Sequence, residues 1–285
     1  MPDPCTSAPL YPFKAILPAP IYWMYRGLRT LVVAGAFLGF WLGCVIVGWL
    51  WLPFVVLWPG SREVKMRRAL GTVQRGFRFF HWWMRVLRLY QCTTTLAAIR
   101  PNGAPADSPV VLVANHPTIA DTTSIVSLFP NVVAVAATGF NRNPFIGRLI
   151  RLCGFVPVGT RMIQECEDRL RMGLDVLIFP EGTRSPFGSG LQPFHRGAFE
   201  VAARANVPVV LLKLTCSPPA LAKRLPIWKH PDRMPVLTIE AIETIYPADS
   251  ELDSRAWART IEERYMDLLG YSRPPVELQS AGGAQ

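Results

Sequence analysis

The chain is poor in the residues from which metal centres and disulfide frameworks are built. Its six cysteines stand at 5, 44, 92, 153, 166 and 216, without a Cys-x-x-Cys pair, and only four histidines occur in 285 residues. That scatter excludes a zinc ribbon and a dense disulfide scaffold. It reads instead as buried, reduced thiols in a reducing compartment, with no metal site. No G-x-S-x-G is present, so the nucleophile elbow of the serine hydrolases is missing. Nor does any repeat of solenoid length appear. Acids are scarce in residues 1–100, where two face 12 Lys and Arg; beyond residue 100 the count is 18 against 18. The whole excess of +10 is therefore N-terminal. A segregated basic segment calls for an anionic partner, nucleic acid or a membrane surface.

Between Arg29 and Arg62 no charged residue occurs, and TLVVAGAFLGFWLGCVIVGWLWLPFVVLWPG is dominated by Leu, Val, Trp and Phe. A helix crosses the bilayer core with about 20 apolar residues, and this run is longer. It either tilts across, or enters, bends near Pro53 and Pro59 and leaves on the same side. A cleaved signal peptide would start earlier, be shorter and end in a small-residue cleavage site. Gly35, Gly39 and Gly43 share one helical face, which predicts close packing against the returning half of the segment or another chain, while lipid-exposed glycines with no role show the same pattern. Downstream, REVKMRRALGTVQRGFRFFHWWMRVLRLY reads as a helix whose Arg67, Arg68, Arg75, Arg78, Arg85 and Arg88 occupy roughly 160° of its circumference. The opposite side is aromatic and aliphatic, which suits the bilayer interface better than a nucleic acid. A helix packed on its own domain with a solvated arginine face has the same pattern. Six basic residues from 62 to 78, against three from 14 to 29, bias the chain beyond residue 62 toward the cytoplasm.

From residue 101 the texture changes. After the turn-rich PNGAPADSP come candidate strands at 110–114, 131–137, 154–158, 175–179, 207–215 and 235–242. Helical patterns fall near 119–129, 143–153, 161–173 and 196–205, with a capped C-terminal helix in SELDSRAWARTIEERYMDLLGY. This alternation predicts an α/β fold with a mostly parallel central sheet flanked by helices. In such sheets chemistry gathers at the carboxyl ends of the strands.

Two loops follow such ends: ANHPTIAD, with His116 and Asp121, and PEGTRSPFGSGLQPFHRGAF, with Glu181, Gly182, Thr183 and Arg184. A histidine beside a carboxylate has the makings of a general base, the carboxylate fixing the tautomer. Five residues separate side chains by about 140° on an ideal helix. The pair therefore works with His116 in the loop and Asp121 on the helix, Pro117 marking the start. A His-Pro-Thr turn serves equally as plain structure, and PEGTRS alone is an ordinary polar turn.

Together, NHPTIAD and, about sixty residues later, FPEGTRS resemble the glycerolipid acyltransferase family, which includes the lysophosphatidate acyltransferases. The resemblance covers roughly residues 105–220, with FHRGAF and VPVVLLK at the positions of the family's later blocks. It implies an enzyme that moves a fatty acyl group from a thioester of coenzyme A or acyl carrier protein to a lysophospholipid hydroxyl, with no bound cofactor. The acceptor is then 1-acylglycerol-3-phosphate, and the product phosphatidate. His116 would take the proton of the acceptor hydroxyl and Asp121 would orient His116. Gly182, Thr183 and Arg184 would hold the head group, with Glu181 orienting Arg184 or the acceptor hydroxyl. Where the family has an acid and an arginine after an apolar pair, GFVPVGTRM offers Arg161; where it often has a lysine, ATGFNRNPFIG offers Arg142. These departures bear on the acceptor, and another lyso-lipid such as an aminolipid stays open, as do a thioesterase or lipid hydrolase and a noncatalytic membrane-binding module. The expected organisation is a flank (1–29), a membrane segment (30–60), a basic amphipathic interfacial helix (61–100), an α/β acyltransferase domain on the cytoplasmic face (101–272) and a loose tail (273–285). Membrane lipids are the expected partners, and nucleic acid is not.

Overall fold

A computed structural model describes residues 11–96, 108–185, 190–226, 229–247 and 253–271. The linker residues 101–107 and the tail from 272 lie outside them. The chain starts with a long apolar helix: α1 (Ala19–Val45) runs through a π-turn (Ile46–Trp51) into α2 (Leu52–Leu57). The π-turn precedes Pro53, which lacks the N–H that a regular helix would bond, and one extra residue per turn is a common way to absorb that loss. Ala19–Leu57 is the one helix among the described residues long and apolar enough to cross a membrane, with an 18-residue stretch of mean hydropathy 2.3 of which only 22% is buried. No turn interrupts it. Reversal occurs instead at Trp58–Gly60, after which α3 (Arg62–Val86) packs back on α1 through Phe40, Phe77 and Phe80.

Two expectations change here. Within the chain the glycine stripe makes no close helix contact, so the returning helix is not its neighbour: among the described residues nothing lies within 4 Å of where a Cβ on Gly35, Gly39 or Gly43 would sit. The rings of Phe77 and Phe80 hold the helices apart and leave an apolar groove of about 190 Å³. Secondly, the basic helix stops at Val86 rather than continuing to residue 100. Its apolar face, Met66, Ala69, Leu70, Val73, Phe77 and Met84, is buried in the domain core, while Phe79, Trp82 and Trp83 stay exposed.

After α3 come β1 (Gln91–Thr94), β2 (Val111–Ala114), α4 (Asp121–Leu128), β3 (Val132–Ala136), α5 (Thr138–Arg142), α6 (Gly147–Leu152), β4 (Val156–Pro157), α7 (Met162–Arg171), β5 (Asp175–Ile178), α8 (Gly197–Ala205), β6 (Val209–Ser217), β7 (Val236–Ile245) and α9 (Ser254–Leu269). They form one sheet of order β1-β7-β6-β2-β5-β3-β4, parallel throughout except that β7 runs antiparallel to β6. The central strands VLVA and DVLI are buried at every residue, as strands covered on both faces must be. The α/β fold with a mostly parallel sheet and an apolar N-terminal helix thus stands as expected. β1, ahead of residue 101, already belongs to the sheet. The connectivity sends the carboxyl ends of β6, β2, β5, β3 and β4 to one edge.

His81 of α3 rests on α4, with Nε2 3.2 Å from Thr123 Oγ1. The Thr123 hydroxyl donates to the Ala120 carbonyl, so the imidazole carries its proton on Nε2, and buried Nδ1 has no partner among the described residues. Burial pushes the His81 pKa down from 6.5 to about 4. A depressed histidine pKa contributes stability in full above the unfolded-state value and loses it as the pH falls through the folded-state value. Between pH 6.5 and 4 the fold is expected to lose roughly 2–3 kcal/mol at this site. Unfolding midpoints measured over that range should show the loss in the native chain and a flatter profile in His81→Gln.

Candidate active site

The site is assembled at the strand ends of β2 and β5. Asn115, directly after β2, is buried and continues the ladder with its side chain: Nδ2 donates to the Leu214 carbonyl at 2.9 Å and the Leu214 N–H donates to Oδ1 at 2.8 Å. This fixes the start of the loop. His116 follows with its ring stacked on Phe179 at 4.0 Å and 16°, so the residue after β5 forms the floor of the imidazole. Its Nδ1 lies 2.7 Å from Asp121 Oδ2. Asp121 opens α4 and is fully buried, and its other donors are the Thr118 N–H on Oδ2 at 2.8 Å and the Thr118 hydroxyl on Oδ1 at 2.5 Å. A carboxylate that only accepts puts the imidazole proton on Nδ1 and leaves the Nε2 lone pair for chemistry. The His116 side chain is 18% exposed, which suffices for one face to meet a ligand.

The five-residue spacing is thus met as the sequence predicts, by a loop histidine and a first-turn aspartate. The negative charge also sits at the amino end of α4, where the helix dipole favours it.

Glu181 has a different place from the one expected. It is 2% exposed, and its oxygens take the N–H of His116 (2.9 Å), the N–H of Gln192 (2.9 Å) and the hydroxyl of Ser185 (2.7 Å). None of these three donors is Arg184, whose guanidinium bonds the Leu221 carbonyl instead. Glu181 ties the histidine loop to the loop after β5, and the Ser185 N–H bond to the His116 carbonyl at 2.8 Å reinforces that tie. Burial raises the Glu181 pKa against the lowering effect of these hydrogen bonds. The three following residues are accessible. Gly182 takes φ +64°, and a Cβ there would press on the His195 ring at 3.2 Å. Thr183 is exposed, and the Arg184 guanidinium donates to the Leu221 carbonyl at 3.3 Å.

Arg142 ends α5 beyond β3, and Arg161 precedes α7 beyond β4. Both are exposed on the same sheet edge as Arg184, one and two strands further out. Arg196 pairs with Glu200 at 3.6 Å, in the first turn of α8. The thiols of Cys92 and Cys166 are pushed up to about 12 by burial, so neither is a thiolate nucleophile at neutral pH. Among the described residues no three His, Cys, Asp or Glu side chains are grouped as metal ligands. Sequence reasoning missed Asn115, Phe179 and Ser185 as supports of the histidine. The first lies inside NHPTIAD, and its pairing with β6 gives no local signal.

Comparison with known proteins finds acyltransferases. The Acyltransferase family model matches residues 98–212. The chloroplastic 1-acyl-sn-glycerol-3-phosphate acyltransferase LPAT1 of Arabidopsis thaliana is 30% identical over 197 residues, 66% of this chain and 51% of that protein. The beta 1-acyl-sn-glycerol-3-phosphate acyltransferase of Homo sapiens is 29% identical over 160 residues, covering 53% of each chain. The chloroplastic BAT2 protein of Brassica napus, with the same enzyme name, is 37% identical over 117 residues, 38% of this chain and 33% of its own. The chain therefore spans a third to about half of these curated relatives. The crystal structure of the 1-acyl-sn-glycerophosphate acyltransferase of Thermotoga maritima matches with a TM-score of 0.65 at 19% identity, over 87% of this chain and 99% of that one, a likeness of fold.

Proposed function

We propose that the chain, whose residues 98–212 match the Acyltransferase family model, is a glycerolipid acyltransferase that transfers a fatty acyl group from a thioester to the free hydroxyl of 1-acylglycerol-3-phosphate, giving phosphatidate. The observation that carries the reading is the 2.7 Å pair of His116 Nδ1 and Asp121, which leaves Nε2 as a base at an accessible strand end. The acceptor hydroxyl gives its proton to Nε2 as its oxygen attacks the thioester carbonyl. A C–O bond forms, the C–S bond breaks, and the thiolate leaves, taking up the proton held by the imidazolium. No acyl-enzyme is needed, which agrees with the raised, buried thiols and with the absence of a nucleophile elbow. The rate then comes from base assistance and from holding the two substrates together.

Arg184, with its planar donors, and Thr183 and Gly182 beside it receive the acceptor's phosphate; Arg142 and Arg161 add positive potential along the same edge. The helix Ala19–Leu57 holds the protein in the bilayer. Its exposed Leu31, Leu38, Trp49 and Phe54, together with Trp82 and Trp83 of α3, suit lipid rather than water. The arginines of α3 support a cytoplasmic position for the catalytic unit.

The test is a purified preparation supplied with acyl-coenzyme A or acyl carrier protein thioester and a panel of lyso-lipids, with products identified by mass. Phosphatidate from lysophosphatidate, at a rate well above that from lyso-aminolipids, is the expected result. Free fatty acid released without dependence on acceptor would replace transfer by hydrolysis. Unchanged substrates alongside intact liposome binding would leave only a membrane-binding role.

A further inference from the structure

Because β6 runs parallel to β2, the connection from β6 to β7 starts at the same sheet edge as the histidine loop. That connection is fastened over the site. The Leu221 carbonyl accepts the Ile119 N–H at 3.1 Å and the Arg184 guanidinium at 3.3 Å, and Lys223 Nζ donates to Thr183 Oγ1 at 3.3 Å. Leu221 and Arg224 both have left-handed backbone, φ +56° and +66°. A leucine accepts that conformation only where its surroundings impose it, and such strain concentrates where a ligand is held. Beneath the loop lies a cavity of about 400 Å³. Arg184 and Arg224 line one part of it, while Phe37 of α1, Ile119, Leu221 and Leu225 form an apolar wall, and no carboxylate lines it. None of Arg184, Lys223 or Arg224 is in an ion pair among the described residues.

Lys223, which does not line the cavity but is held on Thr183 next to Arg184, adds a third unneutralised cation at this edge, and a dianion relieves the repulsion among like charges. The apolar wall reaches the helix that the proposed function places in the bilayer. A cavity cationic at one end and apolar at the other fits a single-chain lipid phosphate monoester. We infer that Lys223 and Arg224, outside both motif loops, complete with Arg184 the binding site for the acceptor's phosphate, the acyl chain lying along Phe37 and Leu225. The inference rests on the acyltransferase reading and adds binding residues to it.

The experiment compares Lys223→Gln, Arg224→Gln and the double variant with the native chain, varying lysophosphatidate and acyl-coenzyme A in turn. Each single change is expected to raise KM for lysophosphatidate about tenfold and the double about 100-fold, in keeping with loss of charge-assisted hydrogen bonds. The KM for acyl-coenzyme A stays put, kcat changes less than twofold, and Lys223→Arg recovers most of the loss. A rise in the donor's KM instead would assign the cations to the phosphates of coenzyme A and overturn the proposal; so would unchanged constants, which would make them a solvated face. Equilibrium binding of lysophosphatidate to the native chain and the double variant separates the two readings. A native chain that binds the lipid phosphate through these residues but transfers no acyl group keeps this site and removes the acyltransferase activity. A native chain that transfers acyl groups while the double variant binds normally does the reverse.

Discussion

His116→Ala is expected to lower kcat for acyl transfer by about 100- to 10,000-fold, the usual worth of a positioned general base, while leaving the fold in place. The two effects separate because of how the imidazole is held. Its only hydrogen bond among the described residues runs to Asp121 Oδ2, which keeps the Thr118 N–H after the truncation, and Asp121 Oδ1 keeps the Thr118 hydroxyl. The other loss is the stack on Phe179. Stability should therefore fall by only about 1–2 kcal/mol, one hydrogen bond and one ring contact. Acceptor binding should survive, since the proposed head-group residues lie on the loops after β5 and β6. The assay is initial rate at saturating lysophosphatidate, paired with an unfolding curve. Full activity in a folded His116→Ala chain would remove His116 from the chemistry and with it the direct-transfer mechanism.

The reason this pair was legible in the sequence is that its geometry is local. His116 and Asp121 are five residues apart, and strand, proline turn and helix start are each marked by their own residue types. The parallel sheet was legible for the same reason, since VVLVA, DVLIF and VPVVLLKLT are apolar enough to declare buried strands. What escaped was set by distant partners. Gln91–Thr94 lacks the alternation of a strand and becomes one only because β7, far along the chain, offers it an edge. The glycine stripe of α1 predicts close packing on local grounds, yet α3 meets α1 through Phe77 and Phe80 on Phe40 and leaves the glycines uncontacted. Lys223 and Arg224 sit in a stretch with no motif, and only the strand order carries them to the site. Glu181 is legible as part of the site, but its partners are the His116 and Gln192 N–H groups and the Ser185 hydroxyl rather than Arg184. Nothing in PEGTRS says that its carboxylate turns inward to backbone donors from the histidine loop and from the far end of its own loop.

That inward turn makes Glu181→Ala the substitution with the largest expected effect on stability. Truncation leaves the part-buried N–H groups of His116 and Gln192 without their acceptor and frees the buried Ser185 hydroxyl. Each buried donor left without an acceptor costs about 1–3 kcal/mol, so a loss of roughly 3–5 kcal/mol is expected, the hydroxyl turning elsewhere. Activity should fall with it, because the backbone that carries His116 loses an anchor beside the one Asn115 provides. Glu181→Gln distinguishes the tie from the charge. An amide oxygen at Oε1 still accepts from His116 and Ser185, while the amide NH2 at Oε2 faces the Gln192 N–H, so one bond of three is lost. Against that, the amide has no buried charge. Burial raises the native Glu181 pKa, so ionised Glu181 detracts from stability as the pH rises through that value, a dependence absent in Glu181→Gln. The ordering expected from unfolding midpoints at neutral pH is native and Gln close together, with Ala far below. Were Gln to unfold as readily as Ala, the carboxylate's charge and not its acceptor geometry would be holding the loops, and the two-loop tie would have to be abandoned.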